Sequence, residues 1–313
     1  MSTNATMVTE FILQGFSKLK ESQIFLYPLF LLIYVITIGG NVSVIITYTL
    51  SPNLHTPMYF FLANFSFLEI FYVTSTIPNI LSNLLSNRRA ISFYGCAVQM
   101  YCVLLLGGTE CYMLAAMAFD RYNAICRPLL YTIIMNRTAC IKHIIGSWFI
   151  GAINAIIHTS LAFSLSFCRS NQINHFFCDV PPLLELSCQD TWVNEWTIFS
   201  VAGCVIIGSS ILTLFSYIQI ISTVLQVHSS SGRKKAFSTC TSHLIVVTIF
   251  YGSAIFMYFR PKSGHGMTYD SFVSLMYTVI APLLNPFIYT LRNKEVKSAI
   301  TKILLKKKQD IDY

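Results

Sequence analysis

The chain has 313 residues, 54% of them hydrophobic and only 11% charged, with a formal net charge of +8. That balance excludes a water-facing globule and points to a membrane protein. Seven windows are long enough to cross about 30 Å of hydrocarbon at roughly 1.5 Å per helical residue: 24–50, 58–85, 92–119, 143–167, 196–227, 236–259 and 271–291.

Seven crossings put the termini on opposite sides. With the N-terminus outside, the exterior segments carry seven basic residues and the cytoplasmic ones fourteen, so the positive-inside rule predicts N-out and C-in. The positive charge is then a topology signal and an attraction for anionic membrane lipids, with no nucleic-acid partner implied. The segment 1–23 is expected to be an extracellular tail, 24–291 the bundle and 292–313 a cytoplasmic tail, all one domain. The first residues lack the basic region, short apolar core and small-residue site of a removable signal peptide. Asn4-Ala5-Thr6 is a glycosylation acceptor in the outer tail.

The connections 51–56, 86–91 and 228–236 are short, which predicts antiparallel neighbours in one bundle. Glu69 in the second span and Glu110 in the third are the acids well inside hydrocarbon, where each costs about 2.5 to 3.5 kcal/mol without a partner. The third span begins at Cys96. Its outer half places Val103, Leu104, Gly107 and Gly108 together at helical spacing, and the two glycines leave room. At its inner end Asp120, Arg121 and Tyr122 stand at the membrane boundary. Arginine is expensive in lipid, so Arg121 there predicts a partner in the water phase. Adjacent helical residues do not face each other squarely, so Arg121 is expected to lean on a group besides Asp120.

Asn154 and His158 on the fourth span are candidate hydrogen-bonding groups. The outer segment 167–195 is too long for a mere connector and carries Cys168, Cys178 and Cys188. With Cys96 these make four cysteines in an oxidising compartment, hence two disulfides with three available connectivities. Such a pinned segment over a bundle reads as a lid. The run His175-Phe176-Phe177-Cys178-Asp179 within it suggests a metal pair only weakly, because a disulfide-bonded Cys178 would be a poor ligand, and no CxxC spacing among the outer cysteines supports zinc.

Ile198, Val201, Ala202 and Val205 on the fifth span and Tyr251, Ala254, Ile255 and Tyr258 on the sixth group at helical spacing. The outer halves of spans three, five, six and seven carry no acid or base, which predicts a cavity for a neutral or weakly polar hydrophobic molecule, with Thr278 on span seven able to orient it. Asn285-Pro286-Phe287-Ile288-Tyr289 puts a kinking proline inside the last span and a tyrosine four residues after the asparagine on the same face. Beyond it, Val296, Ala299, Ile300, Ile303 and Leu304 recur at helical spacing among lysines, predicting a short amphipathic helix on the inner leaflet. No G-x-S-x-G, HExxH or phosphate loop lies on a water-facing segment, so neither catalysis nor a cofactor is expected.

Five blocks carry a resemblance: Pro57-Met58-Tyr59-Phe60-Phe61-Leu62, the stretch from Met117 to Tyr131, Ser216-Tyr217, the run from Lys235 to Leu244, and the run from Pro282 to Tyr289. Together they resemble the vertebrate odorant receptors, which are rhodopsin-like G-protein-coupled receptors. The resemblance implies an all-α seven-helix membrane bundle and pairs Cys96 with Cys178 and Cys168 with Cys188. It sets Glu69 and Glu110 near Asn41 and Asn285, a polar core able to hold a sodium ion or a shared proton. It gives Asp120, Arg121, Tyr122, Tyr217, Asn285, Pro286 and Tyr289 roles in activation and G-protein coupling. Ligand-binding relatives that take amines use Asp where this chain has Val103 and Leu104.

The implied partners are a small-molecule odorant and the stimulatory olfactory heterotrimeric G protein, with cyclic AMP rising downstream at the plasma membrane of sensory cilia. The chain departs from the usual pattern at Leu130, Phe119 and Glu69. A transporter would need an internal repeat, and a retinal-bound sensor a lysine in 271–291; the sequence has neither. The same mechanism tuned to an internal metabolite differs only in tissue.

Overall fold

The computed structural model describes residues 8–15, 23–86, 88–168, 170–226, 229–259 and 267–291. The long helices are α1 (Gln23–Leu50), α2 (Pro57–Leu85), α3 (Phe93–Cys126), α5 (Arg137–Phe163), α8 (Gly203–Leu225) and α9 (Ser230–Phe259). Shorter ones are α4 (Tyr131–Ile134), α6 (Val180–Leu184), α7 (Trp192–Thr197), α10 (Met267–Leu275) and α11 (Ala281–Leu291). A π-helical turn, Ile198–Ala202, joins α7 to α8, and another, Met276–Ile280, joins α10 to α11. The seven crossings are therefore α1, α2, α3, α5, α7 with α8, α9, and α10 with α11.

Among the described residues five helices satisfy length and hydropathy for a crossing outright, and the apolar stretches His243–Phe259 and Ser271–Pro286 supply the remaining two. Hydropathy marks the lipid-embedded part of a helix rather than its ends. Thus α3 continues seven residues past the expected 119, carrying Asp120 and Arg121 on a helical turn beyond the hydrocarbon, and α5 starts at Arg137 rather than 143. Asn136 caps α5, its side chain accepting from the Ala139 amide at 2.9 Å.

The bundle is ordered by what lipid tolerates. Leu32, Val35, Leu212, Leu214 and Phe215 face outward, while Asn41, Glu69, Thr76, Glu110, Asp120 and Asn285 are buried inside. The third crossing is central, with α3 packed along α5 and α8 and touching α2 and α9. The tightest approach is at Gly151: a Cβ there would lie 2.3 Å from Thr109 Oγ1, 2.5 Å from the Leu105 carbonyl and 2.9 Å from the Thr109 amide. Small residues let membrane helices come this close, so Gly151 sets the spacing of α3 and α5.

The outer face departs from a purely helical expectation. Three short strands, β1 (Glu10–Leu13), β2 (Ala90–Ser92) and β3 (Gln172–Ile173), form one sheet in the order β2-β1-β3, with β1 antiparallel to β2 and parallel to β3. Residues 10–13, assigned to a free tail from the sequence, are built into the lid. Phe11 and Leu13 point inward and are buried, as the two-residue period of a strand requires. Glu10 pairs with Arg88 at 2.8 Å on the rim, an exposed pair that adds little stability.

The lid is fixed covalently. Cys96 is bonded to Cys178 and Cys168 to Cys188, with Cα separations of 5.5 and 5.7 Å. The first bond ties the lid to the top of α3, where Gln99 accepts from the Cys178 amide at 3.0 Å and donates to the Ser75 carbonyl at 2.9 Å. Asn4, the positions 296–304 and the rest of the tail lie outside the described residues.

Candidate functional site

Beneath the lid, α3, α5, α8, α9 and the two π-turns enclose a cavity. Its empty volume, including the open space at its mouth, is about 540 Å³. Val103, Leu104, Gly107 and Gly108 form the α3 wall, and Ile198, Ala202 and Val205 the fifth-crossing wall, with Ala254 and Tyr258 on α9. These nine were grouped from helical spacing. Gly107 makes room for Tyr72, whose hydroxyl would stand 3.1 Å from a Cβ at that position.

Four other grouped residues sit off this wall. Tyr251 is buried but donates its hydroxyl to the Cys111 carbonyl at 2.7 Å, fastening α9 to α3. Thr278 is buried, is not among the lining residues, and donates its proton to the Ser274 carbonyl of its own segment at 2.8 Å, which leaves its oxygen only an acceptor. Val201 and Ile255 are half-buried and are not among the lining residues. Conversely Tyr72, Cys111, Val180, Ile206, Phe250 and Tyr277 line it without having been singled out. Ile206 and Phe250 lie one residue beyond or before a grouped position, within reach of the helical period. Tyr72, Tyr277 and Val180 come from elements whose approach no local pattern reports.

Asn154 and His158 also line the cavity, and both are buried. Val180 enters from above as the first residue of α6, capped by Asp179, whose Oδ1 accepts from the Val180 amide at 2.8 Å. Asp179 is fully buried and accepts from the Tyr258 hydroxyl at 3.2 Å to Oδ1 and 3.4 Å to Oδ2. The lid thus brings to the cavity an acid that was not among the expected lining residues, and it is held by a tyrosine of α9.

Two lid groups titrate in opposite senses. Burial pushes Asp179 up to about 6, against which the Val180 amide and Tyr258 hydroxyl pull down. Burial also lowers His175 to about 4, with a smaller opposing effect of its bond to the Phe177 carbonyl. An acid raised on docking makes the docked lid lose stability as pH rises from about 4 to 6. A histidine lowered on docking makes it gain stability between about 4 and 6.5. The two slopes oppose, so lid docking in the native receptor is expected to vary little with pH. Asp179→Asn leaves the histidine slope alone, and hydrogen-exchange protection over 172–184, corrected for the intrinsic pH dependence of exchange, should then be weaker at pH 5 than at pH 7; equal protection at the two pH values contradicts this balance.

Deeper in the bundle, Asn285 donates from Nδ2 to Glu69 Oε1. Glu110 lies near enough for its charge to interact with that of Glu69. Among the described residues Glu69 Oε2, both Glu110 oxygens, Asn285 Oδ1 and Asn41 Oδ1 are buried without protein partners, while Asn41 Nδ2 donates to the Thr37 carbonyl of its own helix. These are hard oxygen donors of the kind a sodium ion or a shared proton needs.

At the cytoplasmic mouth, Asp120 does not form an ion pair with Arg121 among the described residues. It accepts from the Tyr131 hydroxyl at 2.8 Å, so α4 of the second inner loop holds it. Arg121 is half-buried, and its charge is felt at Cys240 and His243 of α9. Tyr217 on α8 shares a 2.6 Å hydrogen bond with His243 Nδ1 and stacks on its ring. His243 lay in a recognised sequence block, yet its role as partner to Tyr217 had no signal there. Tyr122 lies under the Arg127 guanidinium, 5.4 Å from the ring centre. Ala118, Tyr217, Ile220, Val224 and Cys240 close this end with an apolar cluster. Pro286 lies inside α11 and packs at Gly40, where a Cβ would come within 2.9 Å of its ring. The Tyr289 side chain lies outside the described residues.

Comparison with known proteins is consistent over nearly all of the chain. A family model described as olfactory receptor matches residues 30–307. Human olfactory receptor 5I1 is 48% identical over 304 residues, 97% of each chain. Mouse olfactory receptor 5AR1 is 46% identical over 306 residues, 98% of this chain and 99% of its own. The dog olfactory receptor-like protein OLF1 is 48% identical over 299 residues, 96% of each. With its seven apolar crossings and a family match over most of its length, this multi-pass membrane chain belongs to the olfactory receptor family.

Proposed function

We propose that the chain is an odorant receptor that takes a small neutral or weakly polar hydrophobic molecule into the cavity beneath the lid and activates a stimulatory heterotrimeric G protein of the olfactory type, raising cyclic AMP. The observation that carries this reading is the cavity itself, walled by apolar side chains of three crossings and roofed by Val180. Arg121 and its surroundings are the surface offered to the G protein when α9 moves away from α8 and α3. The Tyr217–His243 bond and the apolar cluster around it must open for that to happen. A ligand drives the change only as far as it binds the open form more tightly.

The same reading treats residues 1–313 as one receptor domain and Glu69 with Glu110 as a sodium or proton site tuning the resting state. It assigns the receptor to the plasma membrane of sensory cilia, with the basic inner segments facing anionic lipid. The test is a cyclic AMP reporter screen of mixed odorants on cells expressing the chain. Active compounds should lose potency in Tyr258→Ala at equal surface level, since that change removes a cavity wall and the lid's anchor together. Unaltered potency for every active compound counts against the cavity.

A further inference from the structure

The lining of the cavity is mostly apolar, and besides the Tyr277 hydroxyl it is the α5 wall that carries hydrogen-bonding capacity left without a partner among the described residues. Asn154 and His158 are four residues apart on α5, so their side chains lie on one face of the helix about 5–6 Å apart at Cβ. Both line the cavity and are buried, at 5% and 3% exposure. Asn154 Nδ2 donates to the Leu104 carbonyl at 3.4 Å, which fixes the amide so that Oδ1 is the free end. Among the described residues neither that oxygen nor the buried His158 Nε2 has a protein partner. Burying such groups unsatisfied is costly, so their presence in a ligand cavity calls for a ligand group that meets them.

Gly108 lets α3 come close to α5 beside them: a Cβ there would press on Gly151 Cα at 3.1 Å and reach van der Waals contact with Asn154 Nδ2 at 3.4 Å. Val103, Leu104, Ile198 and Ala202 line the same cavity, and none of its described lining residues is an acid, a lysine or an arginine.

We infer that this pair is a hydroxyl-recognition subsite, and that the receptor's ligands are alcohols or phenols on a hydrophobic skeleton. Asn154 Oδ1 only accepts, so it needs a donor from the ligand. Neutral His158 presents N–H at Nε2 in one of its two tautomers, and then needs an acceptor. A hydroxyl satisfies both at once: its O–H donates to Asn154 Oδ1 and its oxygen accepts from His158 Nε2. Ketones, aldehydes, esters and ethers accept only and leave Asn154 Oδ1 bare, and hydrocarbons leave both groups bare. A site built to bond a hydroxyl discriminates against the analogue lacking it far more than an apolar pocket discriminates by size. The inference rests on the cavity being the ligand site.

The experiment uses matched sets in the cyclic AMP reporter assay on the full-length receptor: 1-octanol, 1-methoxyoctane and octanal; menthol, its methyl ether and menthone; eugenol and methyl eugenol. In the native receptor the hydroxyl member of any active set is expected to be about tenfold to a hundredfold more potent than its partners. That preference should collapse to within about threefold in Asn154→Leu and in His158→Leu, compared at equal surface labelling. Equal potency of ether or carbonyl and hydroxyl in the native receptor overturns the inference whatever the variants do, and so does a preference that survives both variants. Silence toward the matched sets while carbonyl or ester odorants activate the receptor overturns it too, leaving the cavity reading intact. If no compound in the mixed screen gives a response dependent on Arg121, the receptor reading fails and this inference with it.

Discussion

Receptor carrying Gly151→Ala is expected to be retained inside the cell, with surface labelling reduced about tenfold. The added methyl carbon meets Thr109 Oγ1 at 2.3 Å, the Leu105 carbonyl at 2.5 Å and the Thr109 amide at 2.9 Å. A side-chain oxygen can rotate, but two of these contacts are backbone of α3, so the helices themselves must part. Overpacking of this kind costs about 1–3 kcal/mol, enough to change the folded fraction of a marginal protein severalfold or more. Truncating that side chain with Thr109→Ala in the same chain should not rescue it, because the Leu105 carbonyl remains in the way. The effect should also reach the ligand site, since Asn154 lies one turn further along α5 and bonds the Leu104 carbonyl across the same seam.

The second large effect is expected at Arg121→Ala, which should abolish the cyclic AMP response while leaving surface labelling within about twofold of the native receptor. The asymmetry follows from where the side chain stands. Arg121 is half-buried at the inner end of α3 and forms no ion pair with Asp120 among the described residues, so its removal leaves no buried carboxylate bare. Asp120, 2% exposed, keeps its bond to Tyr131. Stability is therefore little changed, while the planar donor fork available to a partner is lost. A response of native size from Arg121→Ala at matched expression contradicts this role.

The bundle was legible in the sequence because lipid imposes a coarse rule: a crossing is a long apolar run, and polar groups within it point inward. Glu69, Glu110 and Asn285 were identifiable on that ground and lie buried together or close by. Helix ends were less legible, since the last turns of α3 and the first of α5 stand in water, where hydropathy is silent. The strand at Glu10–Leu13 was missed for a different reason. Four residues of alternation carry little signal, and its partners Ala90–Ser92 and Gln172–Ile173 lie far away in the chain.

The cavity divides the same way. Helical spacing alone found most of the walls on α3, α8 and α9, because a face is a local property. The bond between Tyr258 and Asp179 joins positions 79 residues apart, and no spacing rule connects them. Thr278 shows what a sequence pattern omits: a hydroxyl in an apolar span has an acceptor four residues back in its own segment, and it gives its proton there.

The central claim is that the enclosed space beneath the lid is where the signal begins. It is tested most directly by filling that space. Ala202→Trp and, separately, Ala254→Phe each place a ring in the cavity from a different wall, and dose–response curves for an agonist of the native receptor are compared at equal surface labelling. The account predicts that both variants lose the response or need at least about thirtyfold more agonist, a cost of about 2 kcal/mol in binding. Unchanged potency and maximum in both would place the ligand elsewhere and contradict it.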